Sequence, residues 1–377
     1  MSLRRARAIA RKEFLHIVRD TRSLIAALAI PLLLLLLFGY ALTLDVDRIP
    51  ACVYDQDGTP ESRRLVERFR GSRYFDIAGR ADNYAKIEQG MESNRILLAV
   101  VIPRGFAGRI ASGQRAEVQV LIDGSDSNTA SITNGYVESV LQAYGAALRM
   151  EALNRRGAPE LKSPVEPRVR VWYNEEILSK NYVVPGLIAV ILMIIAALLT
   201  SLTIAREWEA GTMEQLLSTP VRPAELFLGK LSAYFGLGLA DTLIAIVAGV
   251  FVFHVPMRGD FLFLLFTSCI FLVGGMSWGI FISAATRSQL MAFQASMITS
   301  FLPAFLLSGF VFAIENMPRV IQAVTYLVPA RYFVTILKGI FLKGVGLRAL
   351  WWEVLLLIVY SGVLFLLATW RMRQKMA

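Results

Sequence analysis

Four glutamates crowd one short polar stretch, AREWEAGTMEQLLSTPVRPAELFLGKL (residues 205–231), that separates two long apolar runs in a chain of net charge +10. They are Glu207, Glu209, Glu214 and Glu225, with Arg206, Arg222 and Lys230 as counter-charges. Trp208 and Met213 add bulky apolar surface. Acidic and aromatic side chains at the edge of a greasy segment suit docking to another protein. The plain alternative is a solvated cap that joins two helices.

Residues for covalent or metal chemistry are not evident elsewhere. Two His and two Cys give no zinc spacing, and no nucleophile elbow is read. No G-x-x-x-x-G-K-[ST] phosphate loop occurs: Gly229-Lys230 is followed by Leu231 at the head of an apolar run. The chain therefore reads as carrying no catalytic residue, metal or cofactor of its own. Cys52 and Cys269 fall in different segments, too far apart to bridge, so no disulfide is expected.

The elements that must position the acidic stretch are set by composition. With 55% hydrophobic and 18% charged residues, the chain is no ordinary soluble domain. A bilayer core of about 30 Å takes roughly 20 apolar residues in a helix. Six runs qualify: 23–44, 181–205, 224–254, 261–286, 288–314 and 350–370. Backbone amides in lipid must be satisfied within the segment, so these should be helices. Trp351, Trp352 and Trp370 frame the last run as interfacial anchors would. A cleaved signal peptide is the alternative for the first run, but its apolar stretch is too long and no A-x-A site follows.

Residues 1–22 hold seven Lys or Arg, and the tail 371–377 holds three more. By the positive-inside rule both termini are cytoplasmic, which six spans satisfy; the basic segment 315–349 runs against the rule. Leu3, Ala6, Ala10, Phe14 and Ile17 recur at helical spacing with arginines opposite, an amphipathic helix for the interface.

Residues 45–178 form a polar insert with 18 Lys plus Arg against 19 Asp plus Glu, so the positive excess lies elsewhere. Clustered basic charge of the kind a nucleic acid would require is absent. Strand-like IPACVYD, YFDIAG, RILLAVVIP, AEVQVLID and PRVRVWYN alternate with helix-like segments. Thr59 caps TPESRRLVERF with Pro60 in its first turn, Asp82 caps ADNYAKIEQGMES, and a long helix runs from about Ser127 to Arg156. The expected fold class is a membrane all-α, six-helix domain carrying an inserted extracytoplasmic α/β domain.

In the acidic stretch, Arg206 to Leu217 can form one helix, ended by Thr219-Pro220 because a residue before proline avoids the α region. On that helix Glu207 and Glu214, seven apart, share a face. Pro223 then starts the next helix with Glu225 in its first turn.

Polar residues inside the spans are pathway candidates. Asp241 lies mid-way along the third, where a carboxylate is costly and faces a bundle interior or cavity; it reads as a contact for a substrate cation or proton, or as a structural hydrogen-bonding group. Gln294, Ser296, Thr299 and Ser300 lie in the fifth. Ser296, Thr299 and Ser300 share a helical face that lines a pathway or simply packs helices.

EWEAGTMEQLLSTPVRPAELFLGK resembles the cytoplasmic loop of the type 2 ATP-binding-cassette (ABC) exporter permeases, in which Glu-x-x-x-Gly-Thr-x-Glu followed by Thr-Pro marks the coupling region. Glu207, Gly211, Thr212, Glu214, Thr219 and Pro220 occupy those positions. LSGFVFAIENMPRVIQAVTYLVPARYFVTILKGIFLKG and YDQDGTPESRRLVERFRGSRYF also resemble family segments, so the likeness covers essentially the whole chain and is strongest for the multidrug-export-like subgroup. Ala313 stands where the family pattern has proline.

The resemblance implies a permease whose coupling residues (Glu207, Trp208, Glu209, Gly211, Thr212, Glu214, Thr219, Pro220) dock a separate cytoplasmic ATP-binding subunit, in two copies, that binds ATP and Mg. It further implies a second permease copy or close relative, contact with membrane lipids, a partly re-entrant segment at 315–349, residence in a bacterial inner membrane, and a hydrophobic drug-like or lipid-like substrate. A periplasmic adaptor protein is a further partner candidate. The rival readings are an ion-gradient-driven transporter, which calls for inverted repeats and several intramembrane charges, and a membrane-anchored sensor or assembly factor, which has no use for a docking loop.

Overall fold

The computed structural model describes residues 2–42, 48–155, 172–174 and 178–376. Two compact units divide the chain, one of residues 1–43 and 170–377, the other of residues 44–169.

The first unit opens with α1 (Leu3–Arg19), which Asp20 separates from α2 (Thr21–Ala41). The amphipathic face expected of α1 is divided. Ala6 and Glu13 are buried while Leu3 and Phe14 are 76% and 54% exposed, because the helix beds on its Ala6–Ile9–Glu13 edge.

The second unit contains β1 (Ile49–Asp55), α3 (Pro60–Arg70), β2 (Phe75–Arg80), α4 (Tyr84–Glu92), β3 (Leu98–Ile102), α5 (Phe106–Ala111), β4 (Gln119–Ile122) and α6 (Ser127–Arg155). Its sheet has the order β2-β1-β3-β4, with β1 parallel to both neighbours and β4 antiparallel to β3. The central β3 is buried at all five positions, as a continuous apolar run requires. Thr59 caps α3 as expected, but Asn83 rather than Asp82 caps α4: its side chain reaches the Lys86 amide at 2.8 Å while Asp82 pairs with the Lys86 ammonium. The strand expected at PRVRVWYN lies mostly outside the described residues, and Trp172–Asn174 carry no strand.

The chain returns to the first unit with α7 (Ser179–Glu209), α8 (Thr212–Leu217), α9 (Pro223–Val247, continued by a π-turn to Val252), α10 (Phe261–Ala285), α11 (Gln289–Ser296), α12 (Leu302–Leu307), α13 (Arg319–Thr325), α14 (Pro329–Lys338) and α15 (Leu347–Met376). Among the described residues, six helical segments are long and apolar enough to cross a membrane. α7 is the hub: 83% of its most apolar window is buried, against 17% for α2. The fifth span stops at Leu307, short of 314, where Ser308 and Gly309 (φ 77°) turn the chain. The sixth runs longer than 350–370, through a kink at Leu350. Between them α13 and α14 meet at 83°, the geometry of a broken span or re-entrant loop.

Glycine explains how closely α10 seats on α7. A Cβ at Gly279 would lie 2.3 Å from the Ala197 carbonyl oxygen, and one at Gly275 3.0 Å from the Ala197-adjacent Ala196 Cβ. Gly275 and Gly279 thus form a small-xxx-small contact. By letters, Gly275-Met276-Ser277-Trp278-Gly279 also fits the nucleophile-elbow pattern. It lies within a continuous helix, with Ser277 Oγ donating to the Val273 carbonyl, and so has no strand-to-helix turn to expose a nucleophile. Cys52 and Cys269 are both free.

Candidate functional site

The acidic stretch does not form one helix. α7 continues through Glu207, Trp208 and Glu209, the chain breaks at Ala210-Gly211, and α8 starts at Thr212. Gly211 has φ 70°, a left-handed conformation that carries no Cβ penalty at glycine and ends the first helix. Glu207 and Glu214 therefore sit on different helices and share no face.

Their surroundings differ accordingly. Glu207 Oε1 accepts from Lys230 Nζ at 3.2 Å and lies 3.5 Å from Lys12 Nζ. Its other oxygen accepts from Thr212 Oγ1 across the break, tying α8 to the end of α7. Lys230 also donates to Glu13 Oε1 at 2.8 Å and to the Thr203 carbonyl at 3.3 Å. The Lys230 side chain is 2% exposed, that of Glu13 9% and that of Glu207 12%. Two carboxylates from α1 and α7 thus converge on one buried ammonium from α9.

Sequence position hides this cluster. Glu13 and Lys230 are 217 residues apart, and Glu13 is missing from the residues singled out above. Its signal was there: an acid at position 13 follows Ala6 and Ile9 on one helical edge, where an apolar residue is expected. Gly229, next to Lys230, makes the approach possible, since a Cβ there would stand 2.7 Å from Ile9 Cβ and 3.0 Å from the Ala6 carbonyl oxygen.

Glu225 clamps the other end of α1. Its carboxylate accepts from the Ser2 amide at 2.5 Å and the Arg222 amide at 3.1 Å, with Arg5 3.7 Å away. Arg5 also donates to the Pro220 carbonyl. The turn holding Thr219 and Pro220, whose residues are exposed, is thereby fastened to α1. Glu209 joins α7 to α11, accepting from the Gln289 amide at 2.7 Å and its side-chain nitrogen at 2.5 Å. These two hydrogen bonds hold α11 at its first residue.

Trp208 is half-buried, with the Arg287 guanidinium 5.0 Å from its ring. On α8, Met213 is buried and packs inward while Glu214 and Gln215 are exposed. The outer face of α8 is a small acidic surface on a frame whose other carboxylates are engaged inside it.

The membrane candidates do not assemble into one site. Asp241 is 1% exposed and neither carboxylate oxygen has a hydrogen-bond partner. The hydroxyl of the adjacent Thr242 donates to the Gly238 carbonyl and not to Asp241. In the fifth span Ser296 and Ser300 are buried with unpartnered hydroxyls, whereas Gln294 and Thr299 are exposed. Thr299 accepts from Trp278 Nε1 at 3.0 Å. The single face expected for Ser296, Thr299 and Ser300 is lost because residues 297–301 form a π-turn, which alters the angular spacing. No cluster of three or more metal-ligating side chains occurs among the described residues.

Comparison with known proteins adds the family. The model described as ABC-2 family transporter protein matches residues 22–370. A protein of Escherichia coli K12 named probable multidrug ABC transporter permease YbhS is 40% identical over 371 residues, covering 98% of this chain and 97% of that protein. Another, named probable multidrug ABC transporter permease YbhR, is 31% identical, covering 94% and 95%. ABC transporter G family member 20 of Dictyostelium discoideum is 24% identical over 96% of this chain, which spans 49% of that longer protein.

Proposed function

The chain belongs to the ABC-2 family of transporter proteins, and on that premise we propose that it is the transmembrane permease subunit of an ATP-driven exporter. It is a multi-pass membrane protein of the ABC permease type, as its relatives' names and its apolar helices indicate. In this reading it moves a hydrophobic or amphipathic substrate, drug-like or lipid-like, out of the cytoplasm or inner leaflet. The name multidrug permease borne by the relatives supports that class.

A separate ATP-binding subunit, in two copies, supplies the energy by binding and hydrolysing ATP with Mg. The observation that carries the reading is the frame under α8. Glu207 and Thr212 fasten α8 to α7, Lys230 fastens α7 to both α1 and α9, and Glu225 fastens α9 to the start of α1. A push on the outer face of α8 therefore moves three helices together. Such a frame suits a lever better than a connecting cap, which has no use for a buried ammonium bridging distant segments. Closure of the two ATP-binding subunits rocks these helices and shifts the pathway between inward- and outward-facing populations.

This reading places both termini and α8 in the cytoplasm, and the α/β unit of residues 44–169 outside, where it is available to a periplasmic adaptor. Two permease copies, identical or closely related, enclose the pathway, with Asp241 and the polar residues of the fifth span as its candidate contacts. The test is gentle purification of the tagged chain from its native membrane, with mass spectrometry of what accompanies it. An ATP-binding subunit recovered with wild type and depleted several-fold with Glu214→Lys supports docking at α8. Absence of any such subunit under several mild conditions overturns it.

A further inference from the structure

We propose that the cleft between the α1–α2 elbow and helices α7, α9 and α11 binds an anionic phospholipid, with an acyl chain on its apolar wall and the phosphate beside Arg206. The cavity has a volume of about 220 Å³. Leu24, Ala27, Leu199, Leu202, Leu237 and Phe293 form its apolar wall, and His16, Asp20, Arg206 and Tyr234 its polar end. One surface that is apolar along its length and polar at a single end fits an amphipathic ligand.

Size decides which part of the ligand enters. Pockets that enclose a drug-sized molecule run from about 300 Å³ upward. This cavity is smaller, so it accommodates a length of alkyl chain rather than a whole polycyclic compound. A second cavity of about 180 Å³ shares His16, Arg206 and Tyr234 with the first and continues towards Lys12. That polar space suits a headgroup.

Charge decides the sign. Glu13 and Glu207 also face the polar cavity, but both are engaged by Lys230, and Lys12 lies against Glu207. Asp20 has an interaction of its own. Arg206 is exposed and forms no ion pair or side-chain hydrogen bond among the described residues. A guanidinium left unmatched at the polar end of an apolar cleft is built to hold a phosphate through paired hydrogen bonds. Bound there, the lipid would be a wedge between the α1 elbow and the hub helix, next to the Lys230 frame.

The proposal requires a membrane-spanning chain and nothing else of the export reading, so the two can fail separately. The test is native mass spectrometry of the full chain, stripped of loosely held lipid and titrated with phosphatidylglycerol or phosphatidylcholine. The wild type is expected to retain phosphatidylglycerol preferentially. Arg206→Gln should weaken that retention about fivefold, the factor carried by about one basic residue at an anionic surface. Ala27→Phe, which fills the apolar end, should abolish retention of both lipids. Both variants are first shown to elute as monodisperse protein with wild-type melting behaviour. Retention unchanged in Arg206→Gln, or equal for the two headgroups in the wild type, overturns the proposal.

Discussion

Replacing Lys230 with methionine should expose the energetics of the frame. The ammonium sits 2.8 Å from Glu13 and 3.2 Å from Glu207, with the lysine side chain 2% exposed. Methionine fills similar volume but leaves the buried Glu13 carboxylate without its cation and Glu207 with the exposed Lys12 alone. Removing one partner of a buried ion pair costs about 3–5 kcal/mol, because the orphaned charge keeps its desolvation penalty. For a unit of this size, that corresponds to a fall in melting temperature on the order of 10 °C. The assay is thermal unfolding of the purified chain in mild detergent. A triple variant, Glu13→Gln, Glu207→Gln and Lys230→Met, removes the orphaned charges and should recover most of the loss. A Lys230→Met protein that melts within about 2 °C of wild type would refute the reasoning, as would a triple variant no better than the single one.

Gly279→Ala should destabilise the α7–α10 contact by about 1–3 kcal/mol, since the added methyl meets the Ala197 carbonyl at 2.3 Å; Gly362→Ala, with open space around it, is the control in the same melting assay. Asp241→Leu should raise the melting temperature, because an unpartnered buried carboxylate costs about 1–3 kcal/mol, while substrate export falls if Asp241 contacts the cargo. In the α/β unit, hydrogen bonds from Thr59 Oγ1 and from the Ala107, Gly105 and Phe106 amides hold the Asp57 carboxyl below its ordinary value. A depressed carboxyl stabilises the fold fully above its unfolded pKa, and the contribution is lost as pH falls through the lower folded value. Hydrogen exchange of the full chain should therefore show the Phe106 and Ala107 amides losing protection as pH drops below about 4, and Asp57→Asn should remove that dependence.

Much of this fold is legible in the sequence because the deciding forces are local. Uninterrupted apolar length marks the spans, and Thr59-Pro60 marks the start of α3 through a cap whose partners are three residues apart. β3 is legible because both faces of a central strand must be apolar. The candidate site is harder to read. Gly211 was visible, but its left-handed φ depends on how α8 folds back against α7. Glu207 looked like part of an exposed acidic face, and its true partner, Lys230, comes from another helix. Glu13 is marked in the sequence only as an acid on an otherwise apolar helical edge, and its pairing with Lys230 follows only once α1 is known to lie along α9 at the Gly229 notch. The π-turn at residues 297–301 sits just before Pro303, whose missing N–H disturbs the ladder there, and it rearranges the face of the fifth span in a way that regular helical spacing does not give. Long-range charge pairing and helix register are tertiary properties, and this site is made of both.

The most direct test of the account is cross-linking from α8 in native membranes. Glu214 and Gln215, both on its exposed face, are changed singly to cysteine and treated with a short bifunctional reagent, with Trp352→Cys, near the start of α15, as the distant control. If α8 is the docking element, positions 214 and 215 cross-link to an ATP-binding subunit and position 352 does not. Failure of both α8 positions to reach such a subunit, when it is present and cross-links elsewhere on this chain, would contradict the assignment of α8 as the docking element.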